Sequence, residues 1–480
     1  MIMSFVFAIF APIGLGFLVM SFVWQESSDL KNMVSVNFLK ILLGIGFGFG
    51  IVSCGFFVWL VFFGNKFILP NYFIFESAMI IILLIKARKK IYLQNSYSAN
   101  VSLFLDFFKG RRHLESGFFL FVGITLILSA IYFLGITAEN PHGGWDAWAF
   151  WNMRARMLFR GVSHWRDSFS NLCPPWLHPD YPALLPVFIA RCWMCIGNDS
   201  LRVPAIVAMF FTFSTAGLLF FCINFLRGRM AAYLAVLVLL TGSFVKIGAS
   251  QYADIPVAFY FLSCLGLFCL HDKFIFNYRI LWLAGVMAGL SAWTKNEGIV
   301  FSIIVMISRL VLVVISKGWK NYRKELNVYL VGFFPIFLIV AYFKVFISTP
   351  NHFYIENLTN WNLLFLKLTD PHRYFLTLKF FIESAIENSQ IFGVSLVFIL
   401  TVFLAFNNIN IQESARLGIW TNFMVIFLMI SAYFFVMVTT PDNLLQLLLT
   451  TPPRLFCQIW PSALLIFFLS VRMPMSFNEA

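Results

Sequence analysis

Apolar residues run along this chain in stretches of about twenty, separated by short polar breaks, and the recurrence of that pattern predicts membrane-spanning helices. A helix rising about 1.5 Å per residue needs roughly 20 residues to cross a hydrocarbon core about 30 Å thick. Runs of that kind lie near 2–23, 37–62, 67–86, 118–136, 203–225, 230–247, 254–270, 279–295, 299–316, 327–347, 391–407, 418–438 and 455–471. They show no period-two alternation, which excludes an outer-membrane barrel. Spanning segments must satisfy their backbone internally, so the expected fold is all-α: a polytopic transmembrane helix bundle of about 13 spans. The first run lacks a basic leader and is followed by further spans, so it reads as a retained helix and not a cleaved signal.

Composition changes the picture only by making it firmer. With 60% hydrophobic and 11% charged residues, and a mean hydropathy of +0.85, a soluble globule is excluded. The net charge of +13 would point to nucleic acid in a soluble protein. Here the basic residues sit in short loops: Lys86-Ala87-Arg88-Lys89-Lys90, Arg111-Arg112, Arg227-Gly228-Arg229, Lys273 with Arg279, and 317–324. Such loops face the cytoplasm, so the partner is the lipid bilayer and no nucleic acid is expected. Counting crossings from them places the segments 137–202 and 348–390 outside.

Cysteine adds little. Of the eight, most fall in spans as small apolar packing residues. Cys173, Cys192 and Cys195 lie in the outer loop, either unpaired or with a structural disulfide to Cys173. Cys192-x-x-Cys195 lacks the βαβ setting of a redox pair. No repeat, nucleotide-binding motif or Cys/His zinc spacing is present.

The remaining polar residues gather on one side of the membrane. They are Trp145, Asp146, Trp148, Trp151, Asn152, Arg154 and Arg156; His178-Pro179-Asp180-Tyr181-Pro182, opening an in-plane helix through about Met194; Gln251-Tyr252-Ala253-Asp254-Ile255-Pro256; Trp293-Thr294-Lys295-Asn296-Glu297-Gly298; and Pro452-Pro453-Arg454. Ionisable groups at membrane depth are costly, so five such motifs on one face mark a site.

In order and content these motifs resemble the membrane glycosyltransferases of the GT-C fold, in particular the protein O-mannosyltransferases and the lipid A aminoarabinose transferases. The resemblance runs from about Ile131 to Pro461. It is most specific in the acid after the first core span, the His-Pro-x-Tyr-Pro stretch, and Leu201-Arg202-Val203-Pro204 entering the next span. It implies a GT-C-like transferase core over 116–480, with 1–115 as additional N-terminal helices. It further implies a polyprenyl-phosphate sugar donor, an extracytoplasmic acceptor (lipid, glycan or protein), and a setting in the bacterial inner membrane with the active site on the periplasmic face. By the motif match Asp146 is the general base. Relatives often carry a second acid directly after this one, where Ala147 stands here.

The chemistry asks for the same residue types. Displacing a polyprenyl phosphate from an anomeric carbon needs a carboxylate to take the acceptor's proton and cations to hold the departing charge. Asp146 suits the first role, and Lys295, Arg454 and His178 suit the second. Trp145, Trp148, Trp151 and Trp176 offer stacking faces and Tyr181 a further ring. Asp254 and Glu297 are expected to orient Lys295, bind sugar hydroxyls, or hold a divalent cation (magnesium or manganese), and the spacing does not choose among these.

Each role has a plain competitor. Tryptophans anchor to membrane interfaces whatever the function, and the competing reading of Asp146 is a helix N-cap. Asp180 reads as a cap or turn residue, and His178 as a hydrogen-bond donor to a nearby carbonyl. Lys295 and Arg454 read as snorkelling side chains. Among functions, a ligase moving a whole lipid-linked glycan is the nearest alternative. A secondary transporter or flippase would show paired broken spans and an internal repeat, which the sequence lacks.

Overall fold

The computed structural model describes residues 2–24, 33–64, 71–98, 113–274, 278–351, 356–357, 359–387, 390–391 and 394–472. The Arg111-Arg112 loop and part of the 348–390 segment lie outside the described residues. The chain is nearly all helical. Among the described residues, β pairing is confined to Gln390–Ile391 with Val394–Ser395 and a bridge from Ile409 to Val471.

In chain order α1 (Ile2–Val23), α2 (Met33–Phe63) and α3 (Asn71–Ser98) precede α4 (His113–Glu139). The loop after α4 folds into short helical turns with α5 (Asn152–Arg160) and α6 (Leu184–Ile196). Then come α7 (Arg202–Leu226), α8 (Arg229–Thr241), α9 (Phe244–Ala249), α10 (Asp254–Phe274), α11 (Arg279–Thr294), α12 (Asn296–Lys317) and α13 (Trp319–Tyr342). The chain ends through α14 (Trp361–Thr369), α15 (Pro371–Glu387), α16 (Leu396–Asn407), α17 (Arg416–Thr439), α18 (Leu444–Thr450) and α19 (Pro452–Ser470).

Among the described residues nine helices are long and apolar enough to cross a membrane: α1, α2, α4, α7, α10, α12, α13, α17 and α19. This is an integral membrane protein. Four of the thirteen runs in the sequence fall short. The 230–247 run breaks at Gly242-Ser243 into α8 and α9. The 279–295 run gives 16 helical residues and the 391–407 run gives 12. The 67–86 run starts outside the described residues, and its helix α3 carries Glu76 and Lys86.

Burial sorts the helices. α10 is buried from Asp254 to His271, so it is the central post, as a helix apolar all round must be. Around it pack α7, α11, α17 and α19. α4 instead exposes Leu120, Phe121, Ile127, Leu128 and Ile131, the apolar face a bilayer covers. Small residues set the closest approach: a Cβ on Gly285 of α11 would stand 2.0 Å from the Tyr329 carbonyl oxygen of α13. Without a hydrophobic drive between helices in lipid, such backbone contact supplies the packing.

The N-terminal helices are built into the same core. Arg191 on α6 donates to both carboxylate oxygens of Glu76 on α3, at 2.6 Å each, and to the Ala8 carbonyl of α1 at 2.5 Å. The helix expected to run through about Met194 is present as α6, and from Leu184 to Met194 it is buried against α1, α2 and α5. The eight cysteines are all free, and Cys192 and Cys195 stand in α6 with no disulfide to Cys173.

Candidate functional site

The starts of α10, α12 and α19 meet at one end of the bundle, and the loop after α4 is folded onto them. Gly143 takes a left-handed φ of +81°, which turns the loop, and Gly144 donates its N–H to the Ser250 carbonyl at 3.0 Å. A side chain at Gly144 would collide with the Tyr252 hydroxyl, 2.5 Å from where its Cβ would stand. Asn152 then ties the loop down, donating to Gln251 Oε1 at 2.8 Å and to the His142 carbonyl at 3.1 Å. This seats Asp146 beside the first turn of α10.

Asp146 occupies the N-cap position of a π turn, Ala147–Trp151, but its side chain makes no capping bond. Its carboxylate accepts a hydrogen bond from Arg454 Nη2. Arg454 also donates from Nε and Nη2 to Asp254 Oδ2, both at 3.2 Å. Asp254 is fully buried. On its other oxygen it takes Lys295 Nζ at 3.0 Å and Gln458 Nε2 at 2.6 Å. Lys295 reaches on to Glu297 Oε1 at 2.8 Å. The charges therefore alternate along one line: Asp146, Arg454, Asp254, Lys295, Glu297. Three carboxylates against two cations leave a formal charge of minus one when all are ionised.

Two atoms in this line are left over. Among the described residues Arg454 Nη1 makes no hydrogen bond, while Nε and Nη2 are taken. Glu297 Oε2 is buried with no partner. A buried acceptor without a partner is costly unless something else satisfies it, whereas the Arg454 side chain is 20% exposed.

Aromatic rings wall the cluster. The Tyr252 ring lies 4.7 Å from the Arg454 guanidinium carbon and the Tyr181 ring 5.9 Å from the Lys295 ammonium. His178 stacks on Tyr181 with centroids 4.5 Å apart. Its backbone is left-handed, with a φ of +49°, and is held there by Arg154, which donates to the carbonyls of Leu177 and His178 at 2.8 Å each. Burial pushes the His178 imidazole below its ordinary value, so it stands as a neutral ring. Burial, and then the nearby Glu297 carboxylate, push the Tyr181 phenol well up. Outside these, Trp145 meets Trp148 edge to face at 4.7 Å and Trp176 at 6.4 Å, and all three are exposed.

All five sequence motifs converge here. Several participants were not anticipated. Gln458 lies one helical turn beyond Arg454, and its amide oxygen accepts from the Tyr433 hydroxyl at 2.7 Å. Asp180, read as a cap or turn residue, does lie in a turn and in addition accepts from Asn296 at 2.7 Å and Asn351 at 2.6 Å, while its backbone carbonyl accepts from Lys344. That node pins the turn bearing Lys295 and Glu297. The i+4 spacing of Arg454 and Gln458 was the available signal for the first, whereas Lys344 is hidden in an apolar helix. As a divalent-cation site the cluster fits poorly: both oxygens of Asp254 are engaged by Arg454, Lys295 and Gln458, and the Lys295 ammonium already bridges Asp254 to Glu297.

An apolar groove of about 500 Å³ runs between α15, α17 and α19, lined by residues including Tyr374, Phe381, Phe434, Val438 and Phe456. Phe456 is two residues from Arg454. Comparison of the chain with protein-family models, with curated proteins and with solved structures gives no match.

Proposed function

We propose that this protein is a membrane glycosyltransferase of GT-C-like architecture, moving a sugar from a polyprenyl-phosphate donor to an extracytoplasmic acceptor. The observation that carries this reading is the line of charge from Asp146 through Arg454, Asp254 and Lys295 to Glu297, assembled at one end of a membrane bundle from segments up to 308 residues apart. It combines a carboxylate able to accept a proton with a guanidinium holding an unused N–H. Exposed tryptophans adjoin it, and α19, the helix that carries Arg454, also borders an apolar groove, which suits a substrate with a sugar at one end and a lipid at the other.

In this reading Asp146 takes the proton of the acceptor hydroxyl as its oxygen bonds to the anomeric carbon. The bond from that carbon to the phosphate oxygen breaks, and the polyprenyl phosphate departs with the electron pair. Arg454 Nη1 and Lys295 meet its charge. Because both cations also hold carboxylates, they are fixed in place before the phosphate arrives. Glu297 Oε2 supplies an acceptor for a sugar hydroxyl. His178 and Tyr181 form an uncharged wall.

The experiment is an extraction of lipid-linked sugars from cells lacking the gene. Accumulation of a polyprenyl-phosphate monosaccharide is the expected result and names the donor. A longer lipid-linked glycan in its place would convert the reading to a ligase, and unchanged lipid pools would overturn transfer altogether.

A further inference from the structure

At the opposite ends of α10 and α12 lies a second buried charge cluster, which the proposed reaction does not use. Arg309 of α12 donates Nη1 to Asp272 Oδ2 at 2.8 Å and Nη2 to Asp272 Oδ1 at 3.0 Å. The same Nη2 donates to Glu325 Oε2 of α13 at 2.7 Å. This engages both oxygens of Asp272 and one of Glu325. Toward the remaining oxygen points Lys317, whose ammonium is 3.8 Å from Glu325 Oε1 and 3.7 Å from Asp272 Oδ1, which Arg309 already holds. Those distances are beyond hydrogen-bond reach, and the Lys317 side chain is 41% exposed. A loosely held ammonium thus sits in a place shaped for a cation.

The third wall is His271, only 8% exposed, whose Nδ1 is buried without a hydrogen-bond partner. An imidazole nitrogen left bare in the interior is unusual, because buried polar atoms nearly always find partners. One ring nitrogen of His271 and one carboxylate oxygen each from Asp272 and Glu325 lie within 4.8 Å of one another.

We propose that His271, Asp272 and Glu325 bind a divalent transition-metal ion, of which zinc is the type, and that Lys317 is the side chain it displaces. One nitrogen and two carboxylate oxygens suit zinc; magnesium and calcium favour oxygen ligands throughout. Three protein ligands leave a fourth position to water. Donors at about 2.1 Å from a common tetrahedral ion stand roughly 3.4 Å apart, so the set closes by up to about 1.4 Å. Glu325 Oε1, which carries no hydrogen bond, has the freedom to make that move. Arg309 stays where it is: it donates one hydrogen bond to each Asp272 oxygen and one to Glu325 Oε2, so the ion is met by Glu325 Oε1 and by the second lone pair of an Asp272 oxygen.

The site is independent of sugar transfer, so its test uses metal binding alone. Full-length protein in nanodiscs, with any affinity tag removed and stripped with a chelator, is titrated with Co²⁺ and followed by visible absorption. One Co²⁺ per chain, displaced by Zn²⁺, is the expected result. His271→Ala leaves the Arg309 pairs intact and is expected to weaken binding at least about tenfold. Lys317→Met, which removes the competing ammonium, is expected to tighten it. Absence of a saturable visible band overturns the proposal, as does a band that His271→Ala retains or one carrying thiolate charge-transfer absorption from cysteine ligands. Should His271→Ala yield too little folded protein, Lys317→Met decides alone: affinity no higher than wild type counts against the site.

Discussion

One guanidinium, Arg454, joins carboxylates that stand 308 and 200 residues before it in the chain, so the chemistry of this site is a matter of a few individual atoms. Asp146→Asn keeps the size of the side chain and its contact with Arg454 but cannot take a proton. The variant is expected to insert and fold normally and to transfer sugar about 10²–10⁴ times more slowly, measured on purified protein with a polyprenyl-phosphate donor alongside its thermal stability. Full activity would shift the base to Glu297. His178 gives a pH prediction. Its folded-state value lies below the ordinary 6.5, so the unfolded chain takes up a proton near that pH while the folded chain resists it. Stability is therefore lost as pH falls through 6.5. His178→Asn, which tolerates the left-handed backbone, should flatten that dependence in melting temperatures recorded from pH 5 to 8. At this scale the sequence was informative wherever a charge interrupts apolar surroundings, as at Asp254, Lys295 and Arg454. It was silent on Asp180, because the partners that make it a cross-fold anchor come from α12 and the chain beyond α13.

Helices are the next unit, and here the N-terminal segment has a clear part. By the resemblance, residues 1–115 read as additional helices before a transferase core. The bidentate contact of Arg191 with Glu76 runs from α3 of that segment to α6, the helix that follows the His178–Tyr181 turn. Removing one partner leaves a buried charge uncompensated, so Arg191→Met is expected to cost about 3–5 kcal/mol. The double variant Arg191→Met with Glu76→Met should recover most of that loss, as read from thermal melts of the detergent-solubilised protein. If the double variant melts no higher than the single one, the ion pair is not what couples these helices. The helical runs themselves were legible because twenty apolar residues permit little else in a bilayer. Where the reading went astray the causes are local: Gly242-Ser243 ends α8 early, and α11 is only 16 residues long.

For the molecule as a whole, sidedness is the decisive property. Single cysteines placed at the exposed Trp176 and Lys320 positions should react with an impermeant maleimide from opposite sides of the membrane, Trp176→Cys from outside and Lys320→Cys only after lysis, because the Lys/Arg bias is one-sided. The reverse pattern would put the Asp146 cluster in the cytoplasm and end the case for a lipid-linked donor presented outside. The central position of α10 also bears on how the chain is made. α10 and α19 are the two least apolar of the nine long helices, and they carry Asp254 on one and Arg454 with Gln458 on the other. Synthesis delivers Asp254 to the membrane long before Arg454 exists. Until the last helix emerges from the ribosome, that carboxylate has Lys295 but lacks Arg454 and Gln458. Completion of the core thus waits until Arg454 and Gln458 have been made, and a chain interrupted before Pro452 would carry an exposed, half-neutralised acid for membrane proteases to recognise.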